Sequence, residues 1–293
     1  MTQYLLLLLT SICWGSWGNA LKFAKKYPPN LFYLDFTLGS LVFAVLIWLV
    51  NFNGLGFFSS LTLVPLLGGA LFAFGNLLLV KAIDRYGFSL SFPSIIGGAV
   101  IVGGLTNYLK TPQNNPLMFF VGLALVVGAI VADGYLYKSG RRKQVNYLLL
   151  LSGAVFIGLF PLFWNYGSAT LTTSELFLVL LIGHLLGIIL VSLFAGYLVT
   201  ADLKKYVSSS LSNHVISLVG ALIWVFGTYL NILIGAKVGY GISFVIGNIA
   251  PLFSAAWGIF YWREIDIRQR NNQFIFAAMA GLFFSGMVLL GLS

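Results

Sequence analysis

Trp14 and Trp17 lie three residues apart on one face of an apolar run, with Asn19 two positions on. Two indole faces beside an amide can stack on a flat solute and hydrogen-bond its edge. Packing in a membrane would use the same rings, yet interfacial tryptophans sit nearer the ends of a span. Asn76, Thr228, Ser91 and Ser243 place further amide and hydroxyl groups inside apolar runs, where they are costly unless partnered or facing a wet cavity. Ser94, Phe160, Trp224 and Asn248 complete the candidate solute-binding set. Their competing role is interhelical hydrogen bonding and packing.

Asp35 is a carboxylate inside a predicted span, and such a residue is a functional hypothesis by default. It is the candidate for proton coupling. The competing role is a structural ion pair with Lys22, Lys25 or Lys81. Asp133, near the end of one run, and Glu264, just past another, read as interfacial acids that meet basic loops. Lys22 and Glu264 are the candidates for gating. His184 and His214 stand alone in sequence, without an acidic neighbour, and His184 reads as a buried, hydrogen-bonded core histidine.

Other chemistry is excluded by what the chain lacks. No lysine follows a glycine, so there is no Walker-type phosphate loop. HExxH, CxxC and GxSxG do not occur, and Cys13 is the only cysteine. No catalytic set, metal site or cofactor is expected. A non-transporting scaffold is the rival from a different class. It would not need polar residues gathered on particular apolar segments.

Those segments must be membrane helices. The chain has 293 residues, 59% hydrophobic and 8% charged, too apolar for a soluble domain. Ten apolar runs are long enough to span a bilayer: 3–24, 30–51, 61–80, 87–106, 117–137, 146–165, 175–200, 213–234, 240–262 and 273–292. The first reads as a retained helix rather than a cleaved signal, since it has no basic leader. The net charge of +9 is explained by loops, not by a nucleic-acid partner. Of the 16 basic residues, only Lys110 and Lys237 lie outside the loops after odd-numbered spans. Basic loops stay cytoplasmic, so both termini are expected outside.

Leu66 to Phe92 aligns without a gap on Leu218 to Phe244, with eight of 27 positions identical. These are the third and fourth spans of each half. An odd number of spans per repeat inverts the second copy, a common plan of secondary transporters with a site at the midplane. The expected fold is all-α and integral to the membrane, with ten helices in two inverted five-helix repeats. The repeats are 1–137 and 147–293, joined by a basic cytoplasmic linker at 138–146. Asn76 and Thr228 occupy matching positions, as do Ser91 and Ser243. Spans 5 and 10 are apolar and glycine-spaced, expected at the periphery and available for a homodimer.

LFYLDF (31–36), GGALFAFGNLL (68–78), GFSLSF (87–92), LTNYL (105–109) and APLFSAAWGIFYWRE (250–264) together resemble the ureide permease family. That family lies in the drug/metabolite transporter superfamily, close to the glucose/ribose and rhamnose uptake branches. The resemblance implies ten helices, an inverted repeat and a cavity built from spans 1–4 and 6–9. It also implies proton-coupled uptake of an oxo-nitrogen heterocycle, a ureide or nucleobase. The long central loop of the plant members is missing here. A monosaccharide is the alternative solute, and a multidrug or metabolite exporter the next. The expected membrane is a bacterial inner membrane, and the expected partners are the solute, a proton and lipid.

Overall fold

The computed structural model describes residues 2–52, 63–110, 114–140, 144–167, 171–195, 200–238, 243 and 246–293. The described elements are all helical, the arrangement that satisfies backbone groups within each segment in hydrocarbon. The first predicted span divides into α1 (Thr2–Ser16) and α2 (Asn19–Phe23), with the break at Trp17 and Gly18. Next comes α3 (Pro29–Val50), with Pro29 in its first turn, where a missing N–H costs nothing. The long α4 (Leu63–Tyr86) stops at Gly87, whose φ is +88°. A side chain there would be strained, and its Cβ would run into the Glu264 carboxylate.

Two spans are broken in the same manner. One consists of α5 (Phe88–Phe92), a π turn at Pro93–Gly97 and α6 (Gly98–Lys110). Pro93 supplies no N–H, so the hydrogen-bond ladder continues with a wider step. Further on, α12 (Ala250–Ala256) runs into a second π turn at Trp257–Tyr261. Between them lie α7 (Pro116–Gly140), α8 (Tyr147–Gly167), α9 (Thr173–Ala195), α10 (Thr200–Val207) and α11 (Leu211–Val238). Last comes α13 (Arg270–Leu292).

Among the described residues, eight helices are long and apolar enough to cross a membrane, counting α1–α2 and α5–α6 as one each. The apolar part of α8 is shorter, at Tyr147–Phe163. Large apolar side chains such as Val50, Leu148, Phe194 and Phe274 point outward, as lipid-facing residues do. The chain is an integral membrane protein.

Inside the bundle, α4 packs on α8 and α9, α3 on α9 and α11, and α1 on α11 and α12. Gly69 faces the Leu180 carbonyl and Gly183 the Leu66 carbonyl, so α4 and α9 touch backbone to backbone. A second, smaller core joins α6, α7 and α13 through Val100, Val126, Phe283 and Met287. There Gly122 and Gly286 each meet the other's carbonyl. Gly122 and Gly286 of predicted spans 5 and 10 thus pack on each other within one chain, while Gly134 and Gly281 face open space. Two boundaries also move: the third predicted span continues as helix to Tyr86 and the eighth to Val238. The polar helix α10 was not expected at all, because TADLKKYV is too short and too charged to register as an apolar run.

Candidate functional site

A row of aromatic rings crosses the middle of the bundle. Trp17 is buried with its ring 4.7 Å from Phe36 and 6.2 Å from Phe92. Phe36 leads to Trp224 at 5.6 Å, and Trp224 stacks on Phe72 at 5.8 Å. Phe72 in turn meets Phe160 of α8 at 4.4 Å and His184 of α9 at 6.0 Å. His184 is buried, and the Tyr33 hydroxyl lies 2.7 Å from its Nε2 and donates to the Ala73 carbonyl. Trp14 stands apart from Trp17 across the helix break. Its Nε1 donates to Thr228 Oγ1 at 2.9 Å, linking α1 to α11.

The other polar candidates differ in how far they are already engaged. Asn76 is buried and gives a 3.4 Å bond to the Phe72 carbonyl of its own helix. Ser91 is buried, and its hydroxyl has no hydrogen-bond partner among the described residues. Ser243, its counterpart in the repeat, exchanges bonds with Asn231 at 2.7 and 3.0 Å. Ser94 is half-buried on the first π turn, and Asn248 is buried just ahead of α12. Asn19 accepts from Trp262 Nε1 at 2.7 Å, which turns it towards one end of the bundle rather than its middle.

Glu264 sits at that end. Its carboxylate pairs with Lys22 of α2 and accepts from the Phe88 N–H at 3.0 Å and the Ser89 N–H and hydroxyl at 2.8 Å each. Lys22 also lies over the Trp262 ring, 4.7 Å from its centroid. Burial pushes the Glu264 carboxyl up. The Lys22 ammonium and the two backbone donors pull it down further, and the net lies below its ordinary value. The result is a buried latch across α2, α5 and the segment after the second π turn. Sequence placed Glu264 at an interface; the structure leaves it 5% exposed, because the start of α5 folds over it.

Asp35 is the centre of a second cluster. Tyr206 of α10 donates to Oδ1 at 2.6 Å, and Tyr27 donates to Oδ2 at 2.8 Å. His214 Nδ1 of α11 lies 2.9 Å from Oδ2. Burial first, then the bond to Asp35, pushes the Tyr206 hydroxyl up to about 12, so it keeps its proton and donates. Tyr27 is raised for the same reasons in the same order. The lysine pair expected from sequence is not what Asp35 makes, and His214 is not alone. A cleft of about 310 Å³ opens beside this cluster, lined by Leu38, Gly39, Val42, Phe43 and Leu218 as well as the polar residues.

Asp133 also departs from expectation. It is fully buried rather than interfacial, and neither oxygen has a hydrogen-bond partner among the described residues. Sequence reasoning missed Tyr27, Tyr206, His214 and Trp262. The signal for the first three was an acid in a span, which demands donors, but those donors come from three separate segments. Trp262 could have been noticed as a tryptophan two residues from an acid near the end of a span.

The chain belongs to the sugar transport protein family, whose model matches residues 5–292. It is similar to the "Putative sugar uptake protein YxfA" of Lactococcus lactis, 25% identical over all of this chain and 98% of that protein. The "Putative sugar uptake protein SAG2157" of Streptococcus agalactiae is 24% identical over all of this chain and 99% of that one. A solved crystal structure shares the fold, with a TM-score of 0.63 at 16% identity, over 99% of this chain and 96% of the other. The match is to the sugar branch, where the sequence motifs had suggested the ureide branch.

Proposed function

We propose that the protein takes up a monosaccharide by alternating access, as a secondary transporter of a bacterial inner membrane. The observation that carries this is the aromatic row through Trp17, Phe36, Trp224, Phe72 and Phe160, interleaved with amide and hydroxyl groups, in a chain matched to sugar transport proteins over almost its full length. Sugars offer apolar C–H faces to rings and hydroxyls to polar neighbours. Trp14, Asn76, Ser91, Ser94, Thr228 and Asn248 are the polar and amphipathic side chains that would complete the site. A flat nucleobase or ureide could use the same rings, and it is the second reading.

In this reading the ten spans form two inverted repeats with both termini outside. Lys22 and Glu264 gate the cytoplasmic face, and Asp35 couples transport to protons. Protonating Asp35 would weaken its hold on Tyr27, Tyr206 and His214, and so loosen α10 from α3. The test is uptake into proteoliposomes. Labelled glucose, ribose or rhamnose should accumulate under an inward proton gradient and collapse with an uncoupler. Accumulation of allantoin or uracil instead would favour the second reading, and no accumulation of any would refute both. Fluorescent reporters active only in the cytoplasm should stay dark at either terminus; bright signal would reverse the topology.

A further inference from the structure

The proposed cycle leaves one buried acid unused. Asp133 sits on α7 with 0% exposure, and neither carboxyl oxygen finds a donor among the described residues. One turn on, Leu136 packs against Ile259 of the second π turn and Ile265, the residue next to Glu264. The Gly258 carbonyl of that turn accepts from the Glu264 N–H at 2.9 Å. This face of α7 therefore backs the latch directly.

The elements packed on α7 are α5, both π turns, α6 and α13. Glu264 is the acid that the Leu136–Ile265 contact brings behind this face, and two negative charges there would repel. Tyr137, on α7 itself, is the next titratable side chain, with its ring 6.3 Å from Tyr86. Arg263, Asp266, Arg268 and Arg270 all point to the exterior. An ionised carboxylate buried without a donor is far costlier than the neutral acid, and a second negative charge close by adds to that cost.

We infer that Asp133 and Glu264 form a proton-sensitive pair, in which the latch between Glu264 and Lys22 closes only while Asp133 carries its proton. Loss of that proton to water puts two carboxylates behind one lysine. Glu264 is then driven from the start of α5, and the α2 end parts from the segment around Trp262. The inference rests on the reading of the Lys22–Glu264 bridge as a closure, not on the identity of the solute.

Phe23 and Tyr261 report on the latch without touching either acid. Their rings meet 5.9 Å apart across it, and both are exposed, at 41% and 55%. Nitroxide labels at Phe23→Cys and Tyr261→Cys, in a Cys13→Ser protein with no solute present, should broaden each other's spectrum when the latch is shut. Broadening should be strong at mildly acid pH and fade towards alkaline pH, as the buried acid gives up its proton. Glu264 itself, held below its ordinary value, does not change charge over that interval. Asp133→Asn should stay broadened throughout, and Asp133→Leu the same should the amide fold poorly. Glu264→Gln should lack broadening at every pH. A parent protein whose spectrum ignores pH overturns the inference, as does an Asp133→Asn profile that superimposes on the parent. Because no solute is added, these outcomes stand apart from success or failure of sugar uptake.

Discussion

Asp35 and Asp133 are both carboxylates buried in membrane helices, and their surroundings are opposites. Asp35 is 3% exposed and has partners on both oxygens from Tyr27, Tyr206 and His214. Asp133 has neither exposure nor a hydrogen-bond partner among the described residues. The first ties α3, α10, α11 and the stretch before α3 into one corner of the bundle. The second ties nothing among the described residues and lies on the face of α7 that backs the Lys22–Glu264 pair. Burial alone would rank them as equals; the donors around them separate a strut from a group free to change its charge.

The largest effect should come from cutting the strut. Asp35→Ala leaves two hydroxyls and an imidazole without their acceptor and should destabilise the protein by about 3–5 kcal/mol. Asp35→Asn keeps the shape and one acceptor, so it should melt closer to the parent. In vesicles it should retain exchange of solute but lose accumulation against a gradient, as expected if Asp35 couples protons. Full concentrative uptake by Asp35→Asn would make the residue purely a strut.

The latch is next. In the closed latch the folded pKa of Glu264 lies below its unfolded value, so its contribution is fully present above the ordinary carboxylate range for as long as Asp133 keeps its proton. That contribution is lost as pH falls through the lower folded value. Charge-assisted bonds of this kind contribute about 1.5–3 kcal/mol each. Melting curves between about pH 7 and pH 3 should fall less steeply for Glu264→Gln than for the parent. Equal slopes would mean that the bridge adds no net stability.

Asp133 should respond with the opposite sign. Asp133→Leu removes a buried polar group that has no partner, so it should stabilise by about 1–3 kcal/mol. A lower melting temperature for this variant would mean that donors do reach Asp133, and the contrast with Asp35 would fail. The smallest effect is expected at Trp14→Phe, which keeps a ring but loses the 2.9 Å bond to Thr228. It should cost about 0.5–1.5 kcal/mol in a melting assay. A larger drop in sugar affinity than in stability would place the indole N–H on the solute.

Much of this was legible from residue types alone. Runs of about 20 apolar residues mark helices because a helix satisfies its backbone within one segment in hydrocarbon, and α3, α4, α7, α9, α11 and α13 fall on predicted runs. Lys22 and Glu264 were named together as gate candidates, and they do meet. What could not be read is which donors a buried acid finds. Tyr206 lies 171 residues from Asp35 and His214 lies 179 residues away. Tyr206 also rides on α10, a helix whose charge hides it from any hydropathy window. Asp133 was misplaced for a related reason. Its distance from the end of its run suggested an interface, but the segment around Ile259 and Ile265 folds back over that end.

The contact between Gly122 and Gly286 has a temporal side. The two glycines are separated by 164 residues of chain. At about 5–20 residues per second, α7 waits roughly 8–33 s on the ribosome's clock before α13 is made. Through that interval its glycine face lies open, and Asp133 has neither the Glu264 segment nor its apolar cover beside it. Biogenesis thus passes through a stage in which an acid-bearing helix must be held in the membrane without its native neighbour. Misassembly in this protein should begin at α7, with another chain's helix taking the place that α13 has yet to fill.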